Sequence, residues 1–477
     1  MTTSTTTPLA TERVPATRMT GRERLLLTLL LGAQFMVAVD FSILNVALPE
    51  VGAGLGFSLA NLQWIATAFA LAAAGFTLLF GRVADLVGRK RLFVGGMAVL
   101  GAASLLGGLA TGPAMLIVAR VLQGLATAAV TPAGLALLTV AFREGPLRQR
   151  ALGLNGALMS AGFTAGAILG GLLTSLLSWR WAFLINVPVA ALVVVLAPRT
   201  ITDARSDRRP RLDLPGAATV TAGLLLLVFG LTQAGQRGWT DPATLVTLVA
   251  GAALVAAFWF VEKRVPEPLL GTALLRRRTV VWGNTAGLIA FVTETSLVFL
   301  LTLYLQKVLH YSPLATGLAF GVLGLGTVLG GTLGGRVVGR LGNRGTIVAG
   351  GLVQAAATLT LVALGASGSW IWLLLVATFV GGVGNMLVIV AFMVTATSGL
   401  PDAEQGRATG MATMSQQIGI TMGTPVMSAI ATAVMAGASG TAVLLSGVRV
   451  AIGVNAALIA VGALVAAAAL GRGRNHR

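Results

Sequence analysis

Long apolar runs, separated by short polar connections, extend along most of the 477-residue chain. A membrane-spanning helix needs about 20 mostly apolar residues. Runs of this kind predict fourteen spans, at 25–48, 60–80, 92–111, 113–141, 151–174, 181–197, 213–233, 243–261, 281–305, 314–334, 346–366, 370–396, 408–435 and 448–470. The pattern therefore predicts an all-α integral membrane protein.

The composition excludes a soluble globular domain. Hydrophobic residues make up 56% of the chain and charged residues only 10%, whereas soluble domains carry about 25% charged residues. The 62 glycines suit helices that pack closely in lipid. The chain has no cysteine, so disulfides and thiolate metal sites are excluded, and we expect neither a metal nor a cofactor. No phosphate-binding lysine loop follows a strand, which leaves nucleotide-driven transport without support.

Basic residues account for the net charge of +18, and most of them lie in alternate connections between the spans. They form short clusters without interleaved aromatic residues, so we expect no nucleic-acid binding. Positive charge in short loops stays on the cytoplasmic side of a membrane. The first apolar run is too long for a signal peptide and is predicted to be a retained helix. Both termini are therefore predicted to be cytoplasmic.

Two segments recur in the same order along the chain. Residues 81–90 have an echo at 335–344, 254 positions later, and residues 150–153 return at 407–410. Two echoes in one order indicate two homologous halves. Because 254 residues exceed six helices by about two, we expect an inserted pair that is peripheral to transport, in a 6+2+6 arrangement. The predicted domains are a tail at 1–24, a six-helix half at 25–197, a linker with two inserted helices at 198–280, a second half at 281–470 and a tail at 471–477.

Four motifs resemble those of the major facilitator superfamily. The sequence GRVADLVGRKR at 81–91 resembles the signature between its second and third helices, and RVLQG at 120–124 is similar to its fourth-helix motif. Residues 39–49 and 179–188 resemble the first-helix motif and the sixth-helix entry of the fourteen-helix drug:proton antiporters. The resemblance implies two pseudo-symmetric six-helix halves and proton-coupled multidrug efflux.

Glycines of the fifth predicted helix match the antiporter motif of this group in part. The motif normally places Gly-Pro before a Gly-Gly pair, but here Gly166 is followed by Ala167, and then by Gly170 and Gly171. Gly162, Gly166 and Gly170 keep a four-residue spacing, so they lie on one helix face. We expect close helix packing to be retained and the proline bend to be lost.

The 81–91 loop is the candidate conformational switch. Gly81 and Gly88 bracket a predicted tight turn. The resemblance implies that charged residues bridge helices there and hold one access state; these are Arg82, Asp85, Arg89 and Lys90. The later copy has Gly339 in place of Asp85, so an acidic latch is expected on the first half only.

Three ionisable residues stand well inside predicted spans: Asp40, Arg120 and Glu294. Each costs about 2.5–3.5 kcal/mol to insert at a helix centre, which makes each a candidate functional residue. Glu294 follows Asp40 by 254 residues, the offset of the repeat, so the two carboxyl groups are predicted to be equivalent. At the same offset from Arg120 the chain has Leu374.

Two carboxyl groups facing a shared cavity can each bind a proton or a cation, since burial favours the protonated form. The alternatives are a fixed structural Asp40–Arg120 pair between the first and fourth helices, and a structural role for Glu294. Further candidates for lining a drug cavity, as opposed to contacting lipid or core, are Asn45, Trp64, Gln123, Phe291, Gln416 and Gln417.

Together these features predict a secondary active exporter, not an enzyme, that exchanges protons for hydrophobic, cationic drugs across a bacterial inner membrane. We expect a monomer in the lipid bilayer, with small molecules and protons as its partners. One alternative is an exporter dedicated to a single endogenous metabolite or antibiotic. Another is a receptor or scaffold that does not transport, although such a protein has no reason to bear the insertion cost of Asp40, Arg120 and Glu294.

Overall fold

The computed structural model describes residues 19–142, 146–201, 214–265, 274, 277–397, 402–435, 438 and 440–470. Within these ranges the regular structure is helical and contains no strand. The prediction of an all-α fold is confirmed.

The first eight helices follow one another with short connections. They are α1 (Gly21–Leu55), α2 (Trp64–Val87), α3 (Arg89–Gly108), α4 (Pro113–Ala141), α5 (Pro146–Leu176), α6 (Asn186–Thr200), α7 (Leu214–Arg237) and α8 (Pro242–Glu262). Single helical turns at Leu59–Leu62 and Trp181–Leu184 lead into α2 and α6.

Six more helices complete the bundle. Helix α9 (Arg278–Leu303) continues into a π-helical turn at Tyr304–Val308. The long helix Pro313–Thr360 is interrupted at Gly342, where φ is 70°, so that 313–341 forms α10 and 343–360 forms α11. Then come α12 (Ile371–Thr397), α13 (Asp402–Met435) and α14 (Thr441–Ala469).

The count of membrane spans agrees with the hydropathy pattern. Within the described part of the chain, 11 helices are long and apolar enough to cross a membrane. One of them divides at Gly342 into α10 and α11. The shorter apolar segments Trp64–Thr77 and Ala161–Leu176 belong to α2 and α5. The described ranges therefore hold the fourteen predicted spans.

Local chemistry explains several helix boundaries. Thr20 and Glu23 form a reciprocal capping box at the start of α1, which satisfies two free backbone N–H groups. Gly88 has a φ of 106° between α2 and α3, and Gly342 has a φ of 70° at the corresponding place. Glycine adopts this conformation without strain, so both copies of the repeated loop turn at a glycine.

Equivalent contacts recur in the two halves. Lys90 Nζ of α3 donates to the Pro198 carbonyl of α6 at 2.8 Å, and Arg344 of α11 donates to the Ala467 carbonyl of α14. Helix pairs repeat likewise: α1 packs on α5 as α9 packs on α13, and α2 packs on α4 as α10 packs on α12. The chain is thus built from two pseudo-symmetric six-helix halves, as predicted.

One end of the bundle, here named the basic end, is where α1 begins and where Lys90 and Arg344 lie. At the opposite end the halves are packed together. There Gln306 Nε2 donates to the Val46 carbonyl at 2.7 Å, and the backbone N–H of Leu314 donates to Ser175 Oγ at 3.0 Å. One apolar core joins α1 and α9 at this end.

The buried clusters nearer the basic end do not join the two halves. One contains Leu30, Phe93 and Leu138 of the first half, and another contains Ile347 and Ala466 of the second half. Since apolar contact holds helices together only where it is made, the described bundle is sealed at the opposite end and less joined at the basic end.

The inserted helices α7 and α8 lie at the side of the bundle. Helix α7 packs against α2 and α13, with Thr221 Oγ1 donating to the Gly75 carbonyl at 2.5 Å. Helix α8 packs on α7 through Gly223 and Gly251 and presents exposed apolar side chains such as Val249. This placement agrees with an insertion, while the domain limits named above stay a prediction.

Candidate functional site

Five polar side chains from four helices of the first half meet in a buried network. Asp40 of α1 is 0% exposed and Arg120 of α4 is 1% exposed. The other members, Gln123 of α4, Ser104 of α3 and Asn186 of α6, are also fully enclosed. Burying charges is costly unless they are paired and hydrogen-bonded, so the geometry of this network decides whether the half is stable.

Asp40 accepts hydrogen bonds from three directions. Arg120 Nη1 donates to Asp40 Oδ2 at 3.3 Å, and Gln123 Nε2 donates to Oδ1 at 2.9 Å. Asn186 Nδ2 also donates to Oδ1. Gln123 Nε2 and Asn186 Nδ2 further donate to Ser104 Oγ, at 2.9 and 3.1 Å. The carboxylate is therefore neutralised by one guanidinium and held by two carboxamides.

The guanidinium of Arg120 is fixed on its other sides as well. Its Nε donates to the Ile65 carbonyl of α2 at 2.9 Å, and its Cζ lies 4.2 Å from the centroid of the Phe69 ring. Its Nη1 donates to Gln123 Oε1 at 2.9 Å. Arg120 thus ties α4 to α1 and α2, and the expected pairing of Asp40 with Arg120 is present.

Two members of the network were not predicted from the sequence. Asn186 lies within the quoted 179–188 motif, and an asparagine at the start of an apolar span is a signal that could have drawn attention to it. Ser104 carries no such signal, because serine is common in helices that pack in lipid. Asn186 Oδ1 is buried without a hydrogen-bond partner.

Glu294 lies in a different environment, in the second half. It is partly buried and borders a cavity of about 20 Å³, which is room for about one water molecule. The cavity is lined by Glu294, Leu297, Leu323, Thr327, Gln354, Thr358, Thr378, Gly381, Gly382 and Asn385. None of these described residues is basic, so the lining offers the carboxyl group no ion pair.

This cavity occupies the place that the Asp40 network occupies in the first half. Gly124 of α4 lies against the Phe69 carbonyl of α2, and Gly382 of α12 lies against the Leu323 carbonyl of α10. The two glycines are therefore counterparts. Thr378 precedes Gly382 by the same four residues that separate Arg120 from Gly124. The counterpart of Arg120 is thus Thr378, not Leu374, which corrects the register expected from the loop repeat.

The expectation that both carboxyl groups face one shared cavity is wrong for this structure. Asp40 is enclosed by side chains of the first half, whereas all the residues lining the Glu294 cavity belong to the second half. The physical reason is helix rotation, because each residue turns the side-chain direction by about 100°. Both carboxyl groups point into their own halves.

The glycine ladder of α5 is closely packed, as expected, and its partner is α1. A Cβ atom on Gly162, Gly166 or Gly170 would meet the carbonyl oxygens of Phe35, Val39 and Ile43, respectively. Gly171 faces the Pro313 carbonyl of α10 instead. The ladder therefore brings α5 close to α1 and, through Gly171, close to the other half, although Ala167 replaces the proline of the antiporter motif.

Gly170→Ala should destabilise the protein by about 1–3 kcal/mol, the usual cost of overpacking a core. The added methyl group would lie 2.2 Å from the Ile43 carbonyl oxygen, so α5 must move away from α1. Thermal unfolding of the purified variant in detergent measures the loss. Gly32→Ala is the matched control, since no heavy atom lies within 4 Å of its added methyl group; equal unfolding temperatures for the two variants would contradict the packing interpretation.

The switch loop lies between α2 and α3 at the basic end. Gly81 lies within α2, so the prediction of a turn bracketed by Gly81 and Gly88 is wrong: the helix continues to Val87, Gly88 alone makes the turn and Arg89 begins α3. Lys90 contacts α6 of its own half through Pro198. The side chains of Arg82 and Asp85 lie outside the described part of the structure, so the acidic latch stays a prediction.

The two aromatic residues predicted to line a cavity, Trp64 and Phe291, each pack against another aromatic ring. The Trp64 ring lies 6.0 Å from that of Phe229 on inserted helix α7, and the Phe291 ring meets Phe392 edge to face at 6.4 Å. Phe291 is 8% exposed. Aromatic pairs of this kind stabilise helix contacts, and a place for either ring in a drug cavity stays a prediction.

The polar candidates are distributed over three places. Gln123 belongs to the Asp40 network. Asn45 of α1 is buried, and its Nδ2 has no hydrogen-bond partner. Gln416 and Gln417 lie partly buried in α13, the helix that approaches α2 through Thr421. Asn45 and the two glutamines stay candidates for contacting a substrate.

Comparisons with known proteins agree with this architecture. A family model described as Major Facilitator Superfamily matches residues 30–424. The puromycin resistance protein pur8 of Streptomyces alboniger is 39% identical over 415 residues, which cover 85% of this chain and 81% of the relative. The cephamycin export protein CmcT of Amycolatopsis lactamdurans is 40% identical over 409 residues, covering 83% and 82%.

A solved structure shares the fold at low sequence identity. A crystal structure of a mutant of the peptide transporter POT superposes with a TM-score of 0.68 at 17% identity, covering 93% of this chain and 94% of that one. This similarity shows a shared fold alone. Membership of a family is shown by the matched family model and by the relatives. The chain belongs to the major facilitator superfamily, and it is a multi-pass membrane transporter and not an enzyme.

Proposed function

We propose that this protein exports hydrophobic, cationic drugs or antibiotics from a bacterial cell in exchange for protons. The observation that carries the proposal is its similarity, over more than four-fifths of the chain, to proteins named for puromycin resistance and cephamycin export. The 6+2+6 helix arrangement is consistent with it, since paired halves suit alternating access.

Proton coupling is assigned to Asp40, Arg120 and Glu294. An ionised carboxylate inside a membrane protein costs several kcal/mol unless a proton, water or cation compensates it. Asp40 has Arg120 for this purpose, and Glu294 has no basic neighbour in its cavity. Because that cavity has room for about one water molecule, a drug does not displace the proton there directly. Coupling instead follows from the change between access states.

The basic end is assigned to the cytoplasm, and the protein to the bacterial inner membrane. Arg22, Lys90 and Arg344 lie at this end, and basic residues mark the cytoplasmic side. The sealed opposite end then faces outward, so the described conformation is closed toward the outside. We further propose that the transporter works as a monomer, with 25–197 and 281–470 as its moving halves and 198–280 as a linker.

A second candidate is an exporter dedicated to one antibiotic made by its own cell. Four of the relatives favour it, since their names specify a single compound: puromycin, cephamycin, actinorhodin or lincomycin. The two candidates differ in breadth of substrate and share the coupling chemistry.

Transport into everted membrane vesicles tests the proposal. We expect an imposed pH gradient to drive uptake of cationic dyes or antibiotics, with a collapsed gradient abolishing it. Uptake of several unrelated compounds supports a multidrug exporter, whereas uptake of one compound supports the dedicated exporter. Vesicles that bind these compounds without accumulating any would point to the receptor or scaffold and would overturn the proposal.

Asp85→Asn should leave insertion intact and reduce turnover. The residue lies near the turn at Gly88, where losing one charge changes folding energy little but can unbalance two access states that differ by a few kcal/mol. The measurement is the initial rate of efflux, divided by the amount of the variant in the membrane. Asp241→Asn, at the cap of inserted helix α8, is the control. Normal efflux by well-expressed Asp85→Asn would leave the loop with a role in topology only.

A further inference from the structure

Oxygen atoms of neutral side chains surround the cavity beside Glu294. The hydroxyl groups come from Thr327, Thr358 and Thr378, and the carboxamides come from Gln354 and Asn385. Glu294 is the only titratable group among the described lining residues. The cavity therefore combines one potential negative charge with several oxygen donors from α10, α11 and α12.

Two buried side chains in this lining have an oxygen atom without a hydrogen-bond partner. Asn385 is 3% exposed and its Oδ1 has none, while its carboxamide interacts with the Glu294 carboxyl group. Thr358 is 1% exposed, and its Oγ1 also has none. Buried polar atoms in proteins are normally bonded to protein, water or an ion. These atoms therefore point to a ligand in the cavity.

The hydroxyl groups of Thr327 and Thr378 already donate their hydrogens to backbone carbonyl groups. Thr327 Oγ1 donates to the Gly324 carbonyl at 2.8 Å, and Thr378 Oγ1 donates to the Leu374 carbonyl at 2.8 Å. Each hydroxyl oxygen keeps lone pairs that are free to accept. Such atoms suit a cation, since hard cations prefer carboxylate, carbonyl and hydroxyl oxygens.

The first half shows what a positive charge does at the equivalent position. There the Arg120 guanidinium lies beside Asp40, whereas its counterpart in the second half is the neutral Thr378. The shorter threonine leaves a cavity of about 20 Å³, which suits an ion or a molecule the size of one water. We propose that the Glu294 pocket binds one sodium ion, in competition with the proton of the carboxyl group.

The inference rests on the proposed function in one respect, namely that the Glu294 carboxyl group releases its proton during transport. The ionised carboxylate then binds Na⁺ together with the side-chain oxygens of Asn385, Thr358 and Thr378. Protonation neutralises the carboxyl group and expels the ion, so the affinity for Na⁺ is expected to rise with pH.

Thermal unfolding of the full-length protein in detergent tests the site. NaCl is titrated against choline chloride at constant ionic strength and mildly alkaline pH. We expect Na⁺ to raise the midpoint of unfolding by about 2 °C or more, saturably, because a ligand that binds only the folded state stabilises it. Glu294→Gln should remove the shift, and the exposed Glu50→Gln should keep it. Thr358→Val should raise the Na⁺ concentration needed for half-saturation about tenfold, which corresponds to a loss of about 1.4 kcal/mol in binding free energy.

Two results would overturn the proposal: equal unfolding temperatures in sodium and choline, or a sodium shift that persists in Glu294→Gln. A pocket that holds only a proton and a water molecule gives the first result. If Glu294→Gln does not fold, an unchanged half-saturation in both Thr358→Val and Thr378→Val contradicts the site instead. Drug uptake in sodium-free everted vesicles separates the two proposals, because proton-driven efflux there supports the exporter whether or not Na⁺ binds.

Discussion

Arg120→Met should destabilise the protein by about 3–5 kcal/mol and abolish efflux. The substitution keeps the apolar stem but leaves the carboxylate of Asp40, which is 0% exposed, without its guanidinium partner. Removing one member of a buried ion pair costs this much because the remaining charge is neither solvated nor paired. Thermal unfolding in detergent measures the loss of stability, and drug uptake by everted vesicles measures efflux.

The double variant Asp40→Asn with Arg120→Met should recover most of the lost stability. Gln123 and Asn186 can still bond to the amide at residue 40, and no buried charge remains to be compensated. Efflux should stay absent in the double variant if the pair takes part in proton coupling. Recovery of both stability and efflux would make the pair a structural link between α1 and α4. An Arg120→Met variant as stable as the parent would contradict the buried geometry itself.

Glu294→Gln should abolish proton release on binding of a cationic drug while leaving expression unchanged. Glutamine keeps the shape of the side chain and its contact with Asn385 but cannot titrate. Since the carboxyl group has no basic neighbour in its cavity, the substitution breaks no ion pair there. We therefore expect the free energy of unfolding to change by no more than about 1 kcal/mol, the usual size of one neutral hydrogen bond. The measurement is drug-induced proton release from purified protein, from mildly acidic to mildly alkaline pH.

Glu50→Gln is the matched control, because Glu50 is an exposed carboxyl group at the end of α1 and takes no part in the proposed site. It should release as many protons as the parent. If Glu294→Gln releases as many protons as the parent, coupling lies elsewhere, and Asp40 with Arg120 becomes the leading site.

Some of the features behind these two predictions could be predicted from the sequence, and others could not. The fourteen spans and the two repeated halves could be predicted, because the bilayer sets the length of each apolar run and the loop glycines Gly88 and Gly342 repeat in sequence. The close packing of Gly162, Gly166 and Gly170 could also be predicted, since residues four apart share one helix face, although their partner α1 could not. These are local properties that each helix carries by itself.

The surroundings of the ionisable residues depended on tertiary structure. A pairing of Asp40 with Arg120 was one of the alternatives that the sequence left open, but Ser104 and Asn186 joined them only because α3 and α6 turn those faces inward. The loop repeat assigned Leu374 to the place of Arg120, whereas helix packing assigns Thr378. A constant sequence offset does not account for a few extra residues in a connection between helices. On a helix, even one extra residue changes the direction of a side chain by about 100°.

The order of residues is enough to predict a fourteen-helix membrane protein with two repeated halves and three ionisable groups within its spans. Helix packing, in contrast, encloses Asp40 in an ion pair and leaves Glu294 beside a small polar cavity. It also joins the halves at the end opposite the basic end. The length and polarity of a span are set by its own residues, but which side chains meet depends on how helices distant in sequence rotate and pack against one another.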